Sequence, residues 1–116
     1  MATLRLANTV VASTTEDNII AGSKFEFPER NVVVRVYAVA DLTGANETVM
    51  DCTFGNVIAA DSVVLPKFTD SLGPNRNEHM ITRFVARAGQ RIQIKLRETL
   101  GVNSLIRTLI DIDEIA

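Results

Sequence analysis

Few side chains in this chain of 116 residues have the chemistry of a catalytic or metal-binding site. The chain has one histidine, His79, and one cysteine, Cys52. A serine–histidine–acid arrangement would have to use His79, but the sequence lacks the G-x-S-x-G motif that carries such a serine in hydrolases. Metal sites need several convergent histidines or cysteines, and a disulfide needs two cysteines. We therefore expect His79 to be an ordinary loop or strand-edge residue, and we expect neither a metal nor another cofactor.

The carboxylates are spread along the chain rather than paired. The clusters that stand out are Glu16-Asp17 and the group of Asp111, Asp113 and Glu114. The second group offers the oxygen ligands that calcium prefers, but we interpret it as the solvated end of a strand. No carboxylate pair is placed as in a glycosidase, and the chain has no tryptophan to stack on a sugar. These residues predict a non-enzymatic protein without a small-molecule substrate.

The basic residues are distributed unevenly, and this asymmetry suggests a site. Between residues 80 and 110, six basic residues face a single acidic one, Glu98. Most of them are arginines, whose planar, multi-donor side chains suit interfaces. The predicted interface consists of Arg83, Arg87, Arg91, Lys95 and Arg97.

The predicted interface depends on how two strands pair. Arg91, Lys95 and Arg97 share the outer face of one expected strand, and Arg83 and Arg87 share parity on its expected hairpin partner. If those strands pair, the five side chains form one basic patch that meets acidic surfaces, including those of another copy of the chain. A solvated sheet face is the alternative interpretation. We do not expect nucleic acid as a partner, because the net charge is −2 and Phe84 is the single aromatic residue among the basic ones.

The elements that must position these residues follow a period of two. Ile92, Ile94 and Leu96 alternate with polar residues, which is typical of a half-buried strand. Similar patterns predict about eight short strands, over residues 3–11, 19–27, 32–40, 48–54, 57–65, 80–88, 89–99 and 104–112. Turn residues separate the strands, for example in the segment 41–46, and the longest unpatterned stretch is the loop 66–77.

These strands predict one all-β domain over residues 1–116, an antiparallel eight-stranded sandwich with a jelly roll favoured. An immunoglobulin-like sandwich is the main alternative, but the chain lacks the tryptophan and the second cysteine of that fold. No window reaches the roughly 18 apolar residues of a membrane span. The first residues do not have the pattern of a signal peptide, so we expect folding in the cytoplasm without membrane insertion.

Two segments carry a resemblance to a known group of proteins. FGNVIAADSVVLP at residues 54–66 and RFVARAGQRIQIKLR at residues 83–97 resemble, in pattern, the small jelly-roll structural proteins of bacterial viruses. The resemblance covers roughly residues 46–112 and contains no diagnostic motif. It implies a capsid, decoration or accessory role in the virion, homo-oligomers, contacts with other structural proteins of the assembly, and folding in the host cytoplasm.

Three functions follow from these observations. The first hypothesis is a non-enzymatic assembly subunit of a virion. The alternative is a ligand-binding β module that recognises a glycan or a protein partner through the loop 66–77. An enzyme on a β scaffold is the third, and it would have to use His79 or a carboxylate pair that the sequence does not reveal.

Overall fold

The computed structural model describes residues 2–40, 47–68 and 73–115. These residues contain eight β-strands and no helix. The strands are β1 (Ala2–Val10), β2 (Thr15–Glu16), β3 (Val32–Ala40), β4 (Thr48–Phe54), β5 (Val57–Val64), β6 (Met80–Ala86), β7 (Ile92–Glu98) and β8 (Ser104–Glu114). Accordingly, no described element is a helix with the length and apolarity to cross a membrane.

The strands form two sheets of four. Sheet A has the order β1-β8-β3-β6, and sheet B has the order β2-β7-β4-β5. All strand pairs are antiparallel. Four of these pairs are nested: β1 with β8, β2 with β7, β3 with β6, and β4 with β5. The predicted antiparallel eight-stranded sandwich is confirmed.

The core lies between the sheets and follows the predicted alternation. Ile92, Ile94 and Leu96 of β7 are buried, whereas the residues between them are partly exposed. β3 differs, because Tyr37 and Val39 on its outer face are buried as well. The segment that follows β5 crosses this part of sheet A, and it is joined to the end of β3 because Ala40 donates its N–H to the carbonyl of Pro66 and accepts the N–H of Phe68, both at 2.9 Å.

The strand predicted over residues 19–27 is wrong. The chain makes only the two-residue strand β2 and then a series of turns, including one at Gly22 with a φ of 80°. The edge of β7 is instead satisfied largely by one side chain: Asn18 Nδ2 donates to the carbonyl of Ile92 at 3.0 Å, and Asn18 Oδ1 accepts the N–H of Ile94 at 3.1 Å. Ile19 adds a single backbone hydrogen bond to the carbonyl of Ile94, at 3.0 Å. Because this amide occupies the place of a strand, the chain turns away while Ile20 still reaches the core.

Two predicted segments fall partly or wholly beyond the described residues. The turn at 41–46 lies outside them, as do residues 69–72 of the loop 66–77. The remaining residues of that loop are described with the site below.

Candidate interface

The five predicted interface residues do not form one patch. β6 and β7 lie in different sheets, so the hairpin that would join their basic side chains does not exist. The turn between these strands crosses from sheet A to sheet B. Gly89 donates its N–H to Pro28 at 2.8 Å, and Arg91 accepts the N–H of Gly55 at 3.0 Å, which ties the turn to neighbouring loops. The structure therefore places Arg83 on sheet A and the β7 residues on sheet B.

On sheet B, the basic side chains of β7 lie beside an acid of their own chain. Arg97 Nε lies 3.0 Å from Asp51 Oδ2, and a terminal nitrogen of Arg97 donates to Ser62 Oγ at 2.7 Å. Lys95 is directly opposite Asp51 in the β4–β7 register. Burial raises the pKa of Asp51, but the N–H of Ser62 and the ion pair with Arg97 outweigh it and lower that pKa.

Arg91 is also paired within the chain. Its Nε lies 2.8 Å from Glu26 Oε2. The N–H of Gly22, which donates to Glu26 Oε1 at 3.0 Å, and the Arg91 guanidinium both lower the pKa of Glu26. Part of the charge complementarity expected between subunits is thus satisfied inside one molecule.

Arg83 and Arg87 are exposed, and neither forms an ion pair within the part of the chain that the structure describes. Arg83 lies opposite Arg35 in the β3–β6 register, and Arg35 is paired with Asp113 at 3.1 Å. Two of the five predicted residues therefore present unpaired charge at the surface, and the interface role of the set stays a prediction.

His79 is a buried structural residue rather than a solvent-facing one. Its Nδ1 accepts the N–H of Asn75 at 2.8 Å, and its carbonyl accepts the N–H of Ala38 at 3.2 Å. Its ring lies against Phe68, with the ring centroids 4.8 Å apart. These contacts hold both ends of the loop 66–77 against sheet A.

The loop is fixed a second time by Arg76. Its guanidinium makes two hydrogen bonds to the carboxylate of Asp111, at 2.8 and 3.1 Å, and Thr3 donates its hydroxyl to the same carboxylate at 2.9 Å. Arg76 is the main cause of the lowered pKa of Asp111. Asp111 is buried in sheet A, so the interpretation of its cluster as a solvated strand end is wrong for this residue. No group of metal-binding side chains occurs among the described residues.

Sequence reasoning missed the role of Glu98. Its buried carboxylate accepts backbone N–H groups from five residues, at distances of 2.6 to 3.4 Å: Ser13, Glu47, Leu100, Gly101 and Val102. Burial opposes the charge, but these donors outweigh it and lower the pKa of Glu98 to about 2. The parity of β7 could have revealed this residue, because Glu98 continues the inward series of Ile92, Ile94 and Leu96.

Exposed apolar side chains gather on one side of the sandwich. β5 and β6 end their respective sheets and lie next to each other, with Thr82 Oγ1 donating to the carbonyl of Ala59 at 3.2 Å. We call the surface formed by these two strands the β5–β6 side. Among the described residues, half of the ten exposed large hydrophobic ones belong to it, namely Val57, Ile58, Val64, Met80 and Val85.

A cavity of about 460 Å³ opens at one end of the sandwich. Phe25, Val32 and Ile112 form its apolar floor, and the ammonium of Lys24 lies 5.1 Å from the centre of the Phe25 ring. Both acidic and basic residues line the rim. The cavity is therefore amphipathic, without a single sign of charge that would select a ligand.

These surfaces are defined by the residues of this chain alone. The resemblance to structural proteins of bacterial viruses, stated from sequence pattern, stays a prediction. No protein-family model, curated protein or solved structure matches the chain.

Proposed function

We propose that this protein is a non-enzymatic assembly subunit that forms homo-oligomers and joins other structural proteins in a virion. The observation that carries the proposal is the apolar surface of the β5–β6 side. Ile58 is 65% exposed and Val64 is 56% exposed, and both lie on a strand at the edge of its sheet. Exposed apolar side chains that are concentrated on one side of a protein can mark a contact site.

The strand order supports the proposal at the level of fold. Nested pairing of the first strand with the last, the second with the seventh and so on inward is the arrangement of a jelly roll, and we propose that fold for this chain. Jelly rolls serve in viral capsids, but they also serve in lectins. Since a fold does not determine a function, the surface carries more weight than the topology.

The β5–β6 side also suits contact with a second copy of the chain. It carries an exposed acid, Asp61, and an exposed base, Arg83, close to the apolar residues. A surface with both charges can pair with itself around a two-fold axis, which is the commonest symmetry of soluble oligomers. Apolar contact supplies the free energy, and the charges favour one orientation.

Light scattering coupled to size-exclusion chromatography tests the proposal over a wide range of concentration and salt. We expect an oligomer that persists at high salt. The double variant Ile58→Ser, Val64→Ser should raise its Kd at least about 10-fold, because each lost apolar side chain removes on the order of 1 kcal/mol or more of burial. The matched control is Val11→Ser, Leu100→Ser, which removes similarly exposed apolar residues elsewhere.

A strictly monomeric protein under all these conditions contradicts the proposed function. Equal weakening by the control pair contradicts the role of the β5–β6 side. The virion assignment has its own test, which is mass spectrometry of purified particles from cells that express the chain, and absence from the particles rejects it.

One observation favours the second candidate function, a ligand-binding β module. The loop 66–77 is anchored by His79 and Arg76, yet Asn75 and Asn77 at its C-terminal end are exposed. Polar residues that are already held in place lose little entropy on binding a partner. Binding to a glycan array by a monomeric protein, abolished by Asn77→Ala, would support this function instead.

A further inference from the structure

Three of the four sheet edges are protected against pairing with another strand. β2 has only two residues, and the rest of the β7 edge is bonded by the Asn18 side chain and by the backbone of Ile19 and Glu26. β5 is interrupted by register shifts and by Ser62, whose φ is 51°. The pairing of β6 with β3 has a register shift between Val36 and Tyr37. Short strands and bulges are common devices by which proteins block edge pairing.

The fourth edge, β1, has none of these features. Its nine residues pair with β8 from Ala2 to Val10 without a register shift. Within the described residues, β8 is the only strand that pairs with β1. Leu4 and Leu6 on its inner face are only partly buried, although they pack against the core. A long, regular edge with half-buried apolar side chains is a template for an additional strand.

The sequence of β1 is complementary to itself in antiparallel orientation. With a two-fold axis at Leu6, the whole strand pairs with its copy, and Leu6 meets Leu6 of the second copy. Thr3 then lies opposite Thr9, a favourable cross-strand pair. Arg5, the one charged residue of β1, lies opposite Ala7. A two-fold axis at Arg5 would place Arg5 opposite Arg5 of the second copy, which brings two like charges together. An axis at Ala7 would leave the first residues of the strand unpaired.

We propose that β1 pairs with β1 of a second copy of this chain, so that sheet A continues across the two-fold axis as one sheet of eight strands. The inference rests on the proposed function and names one contact surface of the homo-oligomer. It is independent of the β5–β6 side, because the two lie at opposite edges of the sandwich.

Cysteine cross-linking tests which residues of the two β1 strands lie opposite each other. Thr3→Cys and Thr9→Cys are prepared as separate variants and mixed under mild oxidation. Directly opposite residues have Cα atoms about 4.5 to 5.5 Å apart, within the range of a disulfide. The two Thr3 positions of one dimer are six residues apart along the strand, about 20 Å. We therefore expect a cross-linked dimer from the mixture and none from either variant alone.

Native Cys52 gives a clean background for this experiment. It is fully buried, and burial together with the nearby Asp51 charge raises its pKa to about 12, so its thiol stays protonated. Leu100→Cys, at an exposed apolar position outside both proposed contacts, serves as the matched control and should give no cross-link with Thr3→Cys. An oligomer by light scattering that gives no Thr3–Thr9 cross-link overturns the β1 contact and leaves the proposed function standing. A protein that is monomeric throughout overturns both.

Discussion

The two lateral sides of the sandwich differ in what they offer a neighbour. The β1 edge offers a regular row of backbone groups with one charged side chain, Arg5. The β5–β6 side has a disrupted backbone, but it exposes apolar side chains such as Ile58 and Val64. The first is suited to hydrogen bonding along a strand and the second to side-chain burial. A subunit with different contacts on opposite sides can be linked into an extended or closed array, which a single contact surface cannot produce.

The largest expected effect is a loss of folding stability when Glu98, which binds the segment that follows β1, is replaced. Ser13, three residues after this strand, donates its N–H to Glu98, which also holds the backbone of Glu47 and Gly101. Glu98→Ala removes the acceptor that these part-buried N–H groups share, and hydrogen bonds to a charged group contribute more to stability than neutral ones. We expect its urea midpoint to fall further than that of any surface substitution in this chain, together with loss of β1 cross-linking. The urea midpoint of Glu98→Gln, which keeps one acceptor oxygen, should fall less. An unchanged midpoint for the alanine variant contradicts the role of Glu98 as the shared acceptor.

The next effect is the pH dependence that the same carboxylate produces. Folding lowers the pKa of Glu98 from its ordinary value of 4.5 to about 2. The ionised form is therefore favoured in the folded state, so its contribution is complete above pH 4.5 and is lost as the pH falls toward 2. Urea midpoints measured between pH 7 and pH 2 should decline over that window. The decline should be shallower in Glu98→Gln, and parallel curves would assign the acid sensitivity to Asp51 and Asp111 instead.

A smaller effect separates the β1 contact from the β5–β6 side. Ala7→Lys places a positive charge opposite Arg5 of the second copy, and Ala7→Glu places a negative one there. Cross-strand charge pairs contribute about 0.2 to 1 kcal/mol each, so two symmetric pairs should change the dimer Kd by about 2- to 30-fold in opposite directions. Sedimentation velocity measures the dimer Kd of both variants. Equal Kd values for the two variants contradict the proposed register, and thermal unfolding of each monomer controls for the neighbouring Arg107.

The smallest effect revises the role of the predicted basic interface. Arg97→Gln removes the ion pair with Asp51 and should cost about 0.2 to 1 kcal/mol of folding stability, as for other surface pairs. Arg83→Gln should leave stability unchanged, since Arg83 has no ion pair among the described residues. If Arg83→Gln weakens assembly while Arg97→Gln does not, the basic contact lies on sheet A.

The period of two predicted most strands because burial on one face of a strand is a local property. The failures came from interactions that are not local. The segment 19–27 has strand-like alternation, but the Asn18 amide replaces it at the β7 edge. The segment around Gly89 has the composition of a hairpin turn, yet it crosses between sheets. Glu98 was within reach of sequence reasoning, because it continues the inward parity of its strand.

The burial of the outer face of β3 could not be predicted from its own residues. Tyr37 and Val39 are covered because Arg76 and His79 bring a distant segment across sheet A. The basic patch failed for a related reason, since its existence depended on which strands pair. Such pairings are determined by the whole chain, and the pattern of any one segment leaves them open.

The nested pairing has a consequence for how the molecule is made. Ala2 lies opposite Ile112, so the first strand finds its own partner only when the last strand has left the ribosome. Until then β1 has no partner strand within its own chain and can pair with a strand of another nascent chain. Topologies with such distant pairings fold slowly, which lengthens this exposure. Synthesis at high local density would then favour exchange of β1 between chains, and dilution or slower translation would favour monomers that close on themselves.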